Sequence, residues 1–125
     1  MINNCLFCTI DQTRIIIQND LAFAVYDGYP VTELHTLVIP KQHAATYFDL
    51  TDKERDACYQ LLAQLKKDIE LKDKLVTGFN IGMNNGKSAG QTIFHCHIHL
   101  IPRRDGDTSS PRGGVRGVIP SKQSY

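Results

Sequence analysis

At 125 residues, 42% hydrophobic and 22% charged, the chain has room for one domain with a core of its own. Fourteen Lys and Arg against thirteen Asp and Glu leave a net charge of +1, which argues against a strong general attraction to nucleic acid or to an anionic membrane. No apolar run approaches the ~20 residues of a membrane span, and "MINNCLFCTIDQ" lacks the basic and long apolar regions of a signal peptide.

The expected location is therefore the cytoplasm, with no membrane and no nucleic-acid partner. In that compartment Cys5, Cys8, Cys58 and Cys96 should be reduced or bound to metal. "RIIIQN" (14–19) predicts a short β-branched strand and "LAFAVYD" (21–27) a second, joined by a turn at Asn19-Asp20. After the break at "GYP", "HTLVIP" (35–40) predicts a third strand that ends at Pro40, which has no ladder donor. Thr51 and Glu54 form a capping box. Ala57, Cys58, Leu61, Leu62, Leu65 and Ile69 then recur at helical spacing and predict a helix over about 52–71. "GFNIGMN" (78–84) predicts a fourth strand, "NNGKSAGQ" (84–91) a polar glycine-rich loop, and "IFHCHIHLIP" (93–102) a fifth strand. The remainder is turn-rich and locally basic, with "GVIP" as a short extended piece. Strands around one long helix, without βαβ alternation, predict a single α+β domain with an antiparallel sheet.

Three of the five histidines stand at alternate positions of the fifth segment. In a strand His95, His97 and His99 share one face, with neighbours roughly 6.5–7 Å apart. Phe94, Cys96, Ile98 and Leu100 would then turn to the core. Three imidazoles together suit a metal or a catalytic site better than a structural face, because neutral imidazole ligates metals and titrates near neutral pH. The preceding loop offers Asn84, Ser88, Gly90, Gln91 and Thr92, with glycines that let backbone N–H groups approach an anion. Together they suggest phosphate chemistry with an attacking imidazole.

His95-Cys96-His97-Ile98-His99-Leu100-Ile101 resembles the signature of the histidine triad (HIT) family. "CLFCTI", "AVYDGYPVTELHTLVIPKQHAATYFDLT", "GMNNGKSAGQTIFHCHIHLIPR" and "PRGGVRGVIP" extend the resemblance over essentially the whole chain. The resemblance implies a five-stranded antiparallel sheet with one long helix, paired as a homodimer. It also implies nucleotide hydrolysis at the α-phosphate through a nucleotidyl-histidine. By resemblance, His97 is the nucleophile, His99 serves the phosphate and its leaving group, and His35 supports the triad. Asn84, Gly90, Gln91 and Thr92 match ribose- or phosphate-binding positions, and Asp27, with Gly28 beside it, matches a ribose contact. A histidine at 99, where transferases of the wider superfamily carry Gln, favours hydrolysis.

"CLFC" can be a redox dithiol or half of a metal site. Too little chain precedes Cys5 for a thioredoxin-like strand, so structural zinc is preferred. Bacterial HIT members that bind zinc imply the set Cys5, Cys8, His43 and His95. On this reading residues 1–12 form a zinc knuckle and 103–125 a basic tail, within one HIT domain. Arg112 and Arg116 could reach the phosphates of a substrate or be merely a solvated arm. The Arg-rich tail tilts the expected substrate toward dinucleoside polyphosphates such as diadenosine tetraphosphate. The alternatives are a purine nucleoside phosphoramidase, a nucleotide-binding protein with little turnover, and a triad acting as a catalytic metal centre.

Overall fold

The computed structural model describes residues 4–125. Its sheet runs β1 (Ile15–Gln18), β2 (Ala22–Tyr26), β3 (Thr36–Pro40), β5 (Ile98–Arg104) and β4 (Val76–Gly82), all antiparallel, with β1 and β4 at the edges. The helix α1 (Asp52–Lys72) follows β3. Among the described residues it is the one α-helix; the other helical pieces are short 3-10 turns.

Local chemistry places the first hairpin. The Asn19 side chain accepts from Leu21 N and Ala22 N, and its Nδ2 donates to Ala57 O of α1 at 2.9 Å. One turn residue thus closes β1–β2 and ties it to the helix. The cap of α1 forms as its sequence predicts: Thr51 N donates to Glu54 Oε1 at 2.8 Å and Glu54 N to Thr51 Oγ1 at 3.2 Å.

The sheet has two covered faces. Ala57, Cys58, Leu61, Leu65 and Ile69 of α1 pack on Ala22, Ala24, Val38, Val76, Ile98 and Leu100. On the opposite face Phe7 covers Phe23, Val25, Leu37 and Ile39, so the N-terminal segment acts as a second layer. Alternation along β2 and β3 supplies both layers at once, which is why these strands read as continuous apolar runs rather than as half-buried ones.

The fifth strand departs from its predicted bounds. It begins at Ile98, so only His99 of the triad lies in a strand. The segment before it leaves the sheet: Cys96 N donates to Ala44 O at 2.7 Å instead of to β3, and Phe94, expected in the core, is 49% exposed. At its far end β5 runs through Pro102 to Arg104. The β3 pairing stops at Thr36–Leu100, so Pro102 loses no bond on that side, and its carbonyl accepts from Thr32 Oγ1 at 2.9 Å. β4 likewise starts and stops two residues earlier than "GFNIGMN". "GVIP" is not extended: 3-10 turns span Gly114–Val118 and Pro120–Lys122.

Leu65, 2% exposed at the centre of the helix–sheet layer, tests this packing. Leu65→Ala should lower the unfolding free energy by about 2–5 kcal/mol. In urea titrations the midpoint should fall at constant slope.

Candidate functional site

The loop from β2 to β3 builds the first half of the site. Asp27 N donates to His35 O at 2.9 Å and His35 N to Thr32 O at 3.2 Å, which closes the loop. Leu34, at φ 70°, holds a left-handed conformation uncommon for a residue with a Cβ. It directs the chain so that His35 enters β3 beside Asp27. His35 is buried, and its Nδ1 accepts from Val31 N at 3.1 Å. A backbone N–H can only donate, so neutral His35 must carry its proton on Nε2. That Nε2 lies 2.9 Å from His99 Nδ1 and 3.4 Å from Asp27 Oδ2. His99 Nδ1 is therefore an acceptor, and the proton of neutral His99 sits on Nε2. Burial, first of all, lowers the pKa of both His35 and His99 and keeps them neutral; for His99 the neighbouring imidazoles add to this, while Asp27 opposes it for both.

The same logic fixes the other two triad rings. His95, with 0% exposure, points Nε2 at Pro40 O (2.8 Å). A carbonyl can only accept, so Nε2 is protonated and Nδ1 carries the lone pair. That Nδ1 faces Cys5 Sγ and Cys8 Sγ, each at 3.5 Å. His97 turns Nδ1 to the carbonyl of His95 at 2.8 Å, which leaves its Nε2 with the free lone pair. His97 and His99 stand with ring centroids 5.4 Å apart. One nitrogen with an available lone pair and one with an available proton thus lie side by side.

Two clusters can be weighed as metal sites. Cys5, Cys8, His43 and His95 each offer a donor atom, all within 4.8 Å of one another, and Cys8 Sγ to His43 Nδ1 is 3.3 Å. Tetrahedral zinc with these ligands requires S-to-N separations of about 3.6 Å. The set fits, and the His95 Nε2–H bond to Pro40 is the kind of outer contact that orients a ligating histidine. Asp27, His35 and His99 also converge. There the Val31 N–H holds the one lone pair of neutral His35, so binding a metal through Nε2 would require an imidazolate. This second cluster is built to hold a proton rather than a cation, which weakens the reading of the triad as a metal centre.

A groove of about 820 Å³ opens beside His35 and His99, walled by Asn84, Met83, Val31 and Val115. Asn84, expected to contact ribose or phosphate, lines this groove. Thr92 is exposed, and Gly86 and Gly90 shape the loop with φ of 95°. Gln91 is buried and its amide is committed: Oε1 accepts from Gly86 N at 2.8 Å, and Nε2 donates to Ala45 O and Ile93 O at 2.6 and 3.1 Å. Its side chain folds the loop instead of facing the groove. Asp27, with Gly28 beside it, stands behind the rings; its Oδ1 accepts from Tyr29 N at 2.8 Å. Arg112 and Arg116 stack on Tyr125, at 4.8 and 5.0 Å from its ring centre. Arg103 does line the groove, but its guanidinium is shared by Asp107 (2.8 Å, two bonds) and Asn80 Oδ1 (2.7 Å).

The parts that sequence reasoning missed are mostly main-chain groups: Val31 N–H, Pro40 O and His95 O. No residue type encodes them, because the fold alone brings them to the rings. Asp107 could have been paired with Arg103 from its i+4 spacing. Cys58 and Cys96 are packing residues, with thiols pushed up by burial to about 11 and about 12.

An antiparallel sheet that sets tautomer-fixed histidines beside an open groove defines a class, and the comparisons agree with it. Residues 10–106 match the HIT domain model, and the chain belongs to that family. It is 41% identical over 106 residues to a HIT-like protein of Mycoplasma pneumoniae, covering 81% of this chain and 72% of that protein. It is 35% identical over 105 residues to the adenosine 5'-monophosphoramidase of Saccharomyces cerevisiae, covering 81% of this chain and 63% of the enzyme. Among solved structures, a zinc-bound histidine triad protein of Mycobacterium smegmatis superposes with a TM-score of 0.77 at 32% identity, covering 86% of this chain and 80% of that one.

The depressed pKa values give a sign for pH. The unfolded chain takes up protons near the ordinary histidine value of 6.5, whereas folded His35 and His99 resist them until lower pH. Their contribution to stability is present above 6.5 and is lost as pH falls through the folded values. Unfolding free energies measured in urea from pH 7.5 to about 5 should decline, and His35→Gln should flatten the slope.

Proposed function

We propose that this protein hydrolyses the α-phosphoryl bond of a nucleotide through a covalent intermediate on His97. The observation that carries the reading is the pairing of the His97 Nε2 lone pair, enforced by the His95 carbonyl, with the proton on His99 Nε2, enforced through His35 by Val31 N–H. His97 Nε2 attacks the α-phosphorus. The bond to the leaving group breaks, and that group, an anion or an amine already protonated in the substrate, departs against the His99 Nε2–H, which donates a hydrogen bond to it and keeps its proton. A water then attacks the phosphorus of the nucleotidyl-His97; the bond to Nε2 breaks and returns its lone pair to the ring, the water's proton passes to solvent, and the nucleoside monophosphate is released. His35 and Asp27 hold His99 in the required tautomer.

Asn84 contacts phosphate or ribose from the groove side and Thr92 from the loop before the triad, and Gly90 brings the loop backbone close to the anion. Gln91 acts by shaping that loop, and Asp27-Gly28 by closing the site behind the rings. Zinc held by Cys5, Cys8, His43 and His95 has a structural role, because the tetrad offers four protein donors and leaves no position for substrate. The protein acts as a homodimer in the cytoplasm.

The leaving group is the open choice. The basic composition of residues 103–116 speaks for dinucleoside polyphosphates such as diadenosine tetraphosphate. In the structure Arg103, which lines the groove, is ion-paired with Asp107, and Arg104 with Asp73, while Arg112 and Arg116 rest on Tyr125 and do not line the groove, which leaves a long polyphosphate little unpaired positive charge along the groove wall. We therefore favour a small or uncharged leaving group, as in a purine nucleoside phosphoramidate, in line with the name of the yeast relative.

His97→Ala should reduce hydrolysis to background while nucleotide binding persists by calorimetry; near-native turnover would remove the nucleophile. His99→Ala should lower kcat by roughly 10²–10⁴-fold, and a substrate with a better leaving group should recover much of the loss. A substrate panel ranked by kcat/KM should place adenosine 5'-monophosphoramidate above diadenosine tetraphosphate; the reverse order would return the choice to polyphosphates. Purified protein should carry about one zinc per chain by elemental analysis, and Cys5→Ser with Cys8→Ser should lose both the metal and thermal stability.

A further inference from the structure

The residue between the two cysteines is unexplained by metal ligation. Phe7 is 7% exposed and anchored among Phe23, Val25, Leu37 and Ile39. Its ring lies 5.0 Å from the His97 ring at 57°, and 5.9 Å from His95 at 84°, edge to face. His97 has one hydrogen bond to the main chain, from Nδ1. A single bond at one ring atom sets a distance, but rotation about the outer torsion of a histidine is soft. Neighbouring rings must therefore hold the angle. Phe7 and His99 are the neighbours that do so.

We propose that Phe7 is a positioning residue that aims His97 Nε2, and that the Cys5–Cys8 knuckle sets its place. The inference rests on the proposed role of His97 as nucleophile. Cys5 Sγ and Cys8 Sγ both lie 3.5 Å from His95 Nδ1, so the turn that carries Phe7 is pinned at both ends against one histidine. That turn is tightened by Thr9, whose N and Oγ1 both donate to Cys5 O at 3.2 and 2.7 Å. His95 in turn holds Nδ1 of His97 through its carbonyl. The tetrad thus reaches the attacking ring twice, by the His95 main chain and by the Phe7 side chain. A flat ring fills the angled space beside an imidazole; an aliphatic side chain of similar volume leaves it free to swing.

The test compares zinc-loaded wild type with Phe7→Leu, Phe7→Met and, as a control in the same turn, Leu6→Ala, whose side chain is exposed. Three readouts are taken: kcat and KM on adenosine 5'-monophosphoramidate and on diadenosine tetraphosphate, zinc per chain, and ¹⁵N spectra of the histidine rings. The expected result is a kcat lower by roughly ten- to a hundredfold in Phe7→Leu and Phe7→Met. KM and zinc content should stay near wild type, and the His97 signals should change from one tautomer to a mixture. Leu6→Ala should match wild type in all three. A kcat within about twofold of wild type with unchanged His97 signals overturns the proposal. So does a loss of rate that only tracks loss of zinc in both variants, since Phe7 would then serve the knuckle alone. An inactive His97→Ala beside a fully active Phe7→Leu removes the positioning role and leaves the nucleophile standing. An active His97→Ala removes both.

Discussion

His95 is the residue on which the rest of the site depends. Its ring donates to the Pro40 carbonyl from one nitrogen and turns the other to two sulfurs, while its own carbonyl accepts from His97. The direction of each bond is forced, because a carbonyl has no proton to give. Full burial makes the arrangement costly to rearrange, since a released donor would find no water to replace its partner. One side chain and its peptide thereby join the N-terminal turn, the end of β3 and the start of β5.

The second fixed point is the Val31 N–H. It determines the proton position on His35, and His35 determines it on His99. These two backbone-directed chains meet where His97 and His99 stand side by side, and they give the rings opposite tasks: one offers a lone pair, the other a proton. Low exposure supports the division by holding His35 and His99 neutral. Proton placement is thus achieved by geometry rather than by a strong charge, and Asp27 stands near enough to both rings to steady the relay.

Much of the fold was legible in residue order. Thr51 and Glu54 marked the helix start, the apolar spacing of Leu61, Leu65 and Ile69 its buried side, and Asn19 the first hairpin turn. The fifth strand was read too early because alternation of His95, Cys96, His97 and Ile98 has the period of a strand whether or not a partner is present. The partner decides: β3 pairs no further along β5 than Val38 with Ile98, and the backbone before that point bonds to Ala44 instead. Pro102 misled in the opposite direction, since a proline ends a strand only where its missing donor would have been used.

The sequence by itself determined the chemical inventory: two cysteines close together, five histidines, a glycine-rich loop and an alternation that separates core from site. Those are properties of residue type and spacing, which local geometry carries directly. The tertiary structure alone decided which nitrogen of each histidine holds its proton, that the Gln91 amide is spent inside its loop, and that Arg103, Arg112 and Arg116 are already engaged. The physical reason is that each of these outcomes depends on a group distant in the chain. Several of those groups are backbone carbonyls and amides, identical in every residue and distinguished only by where the fold puts them.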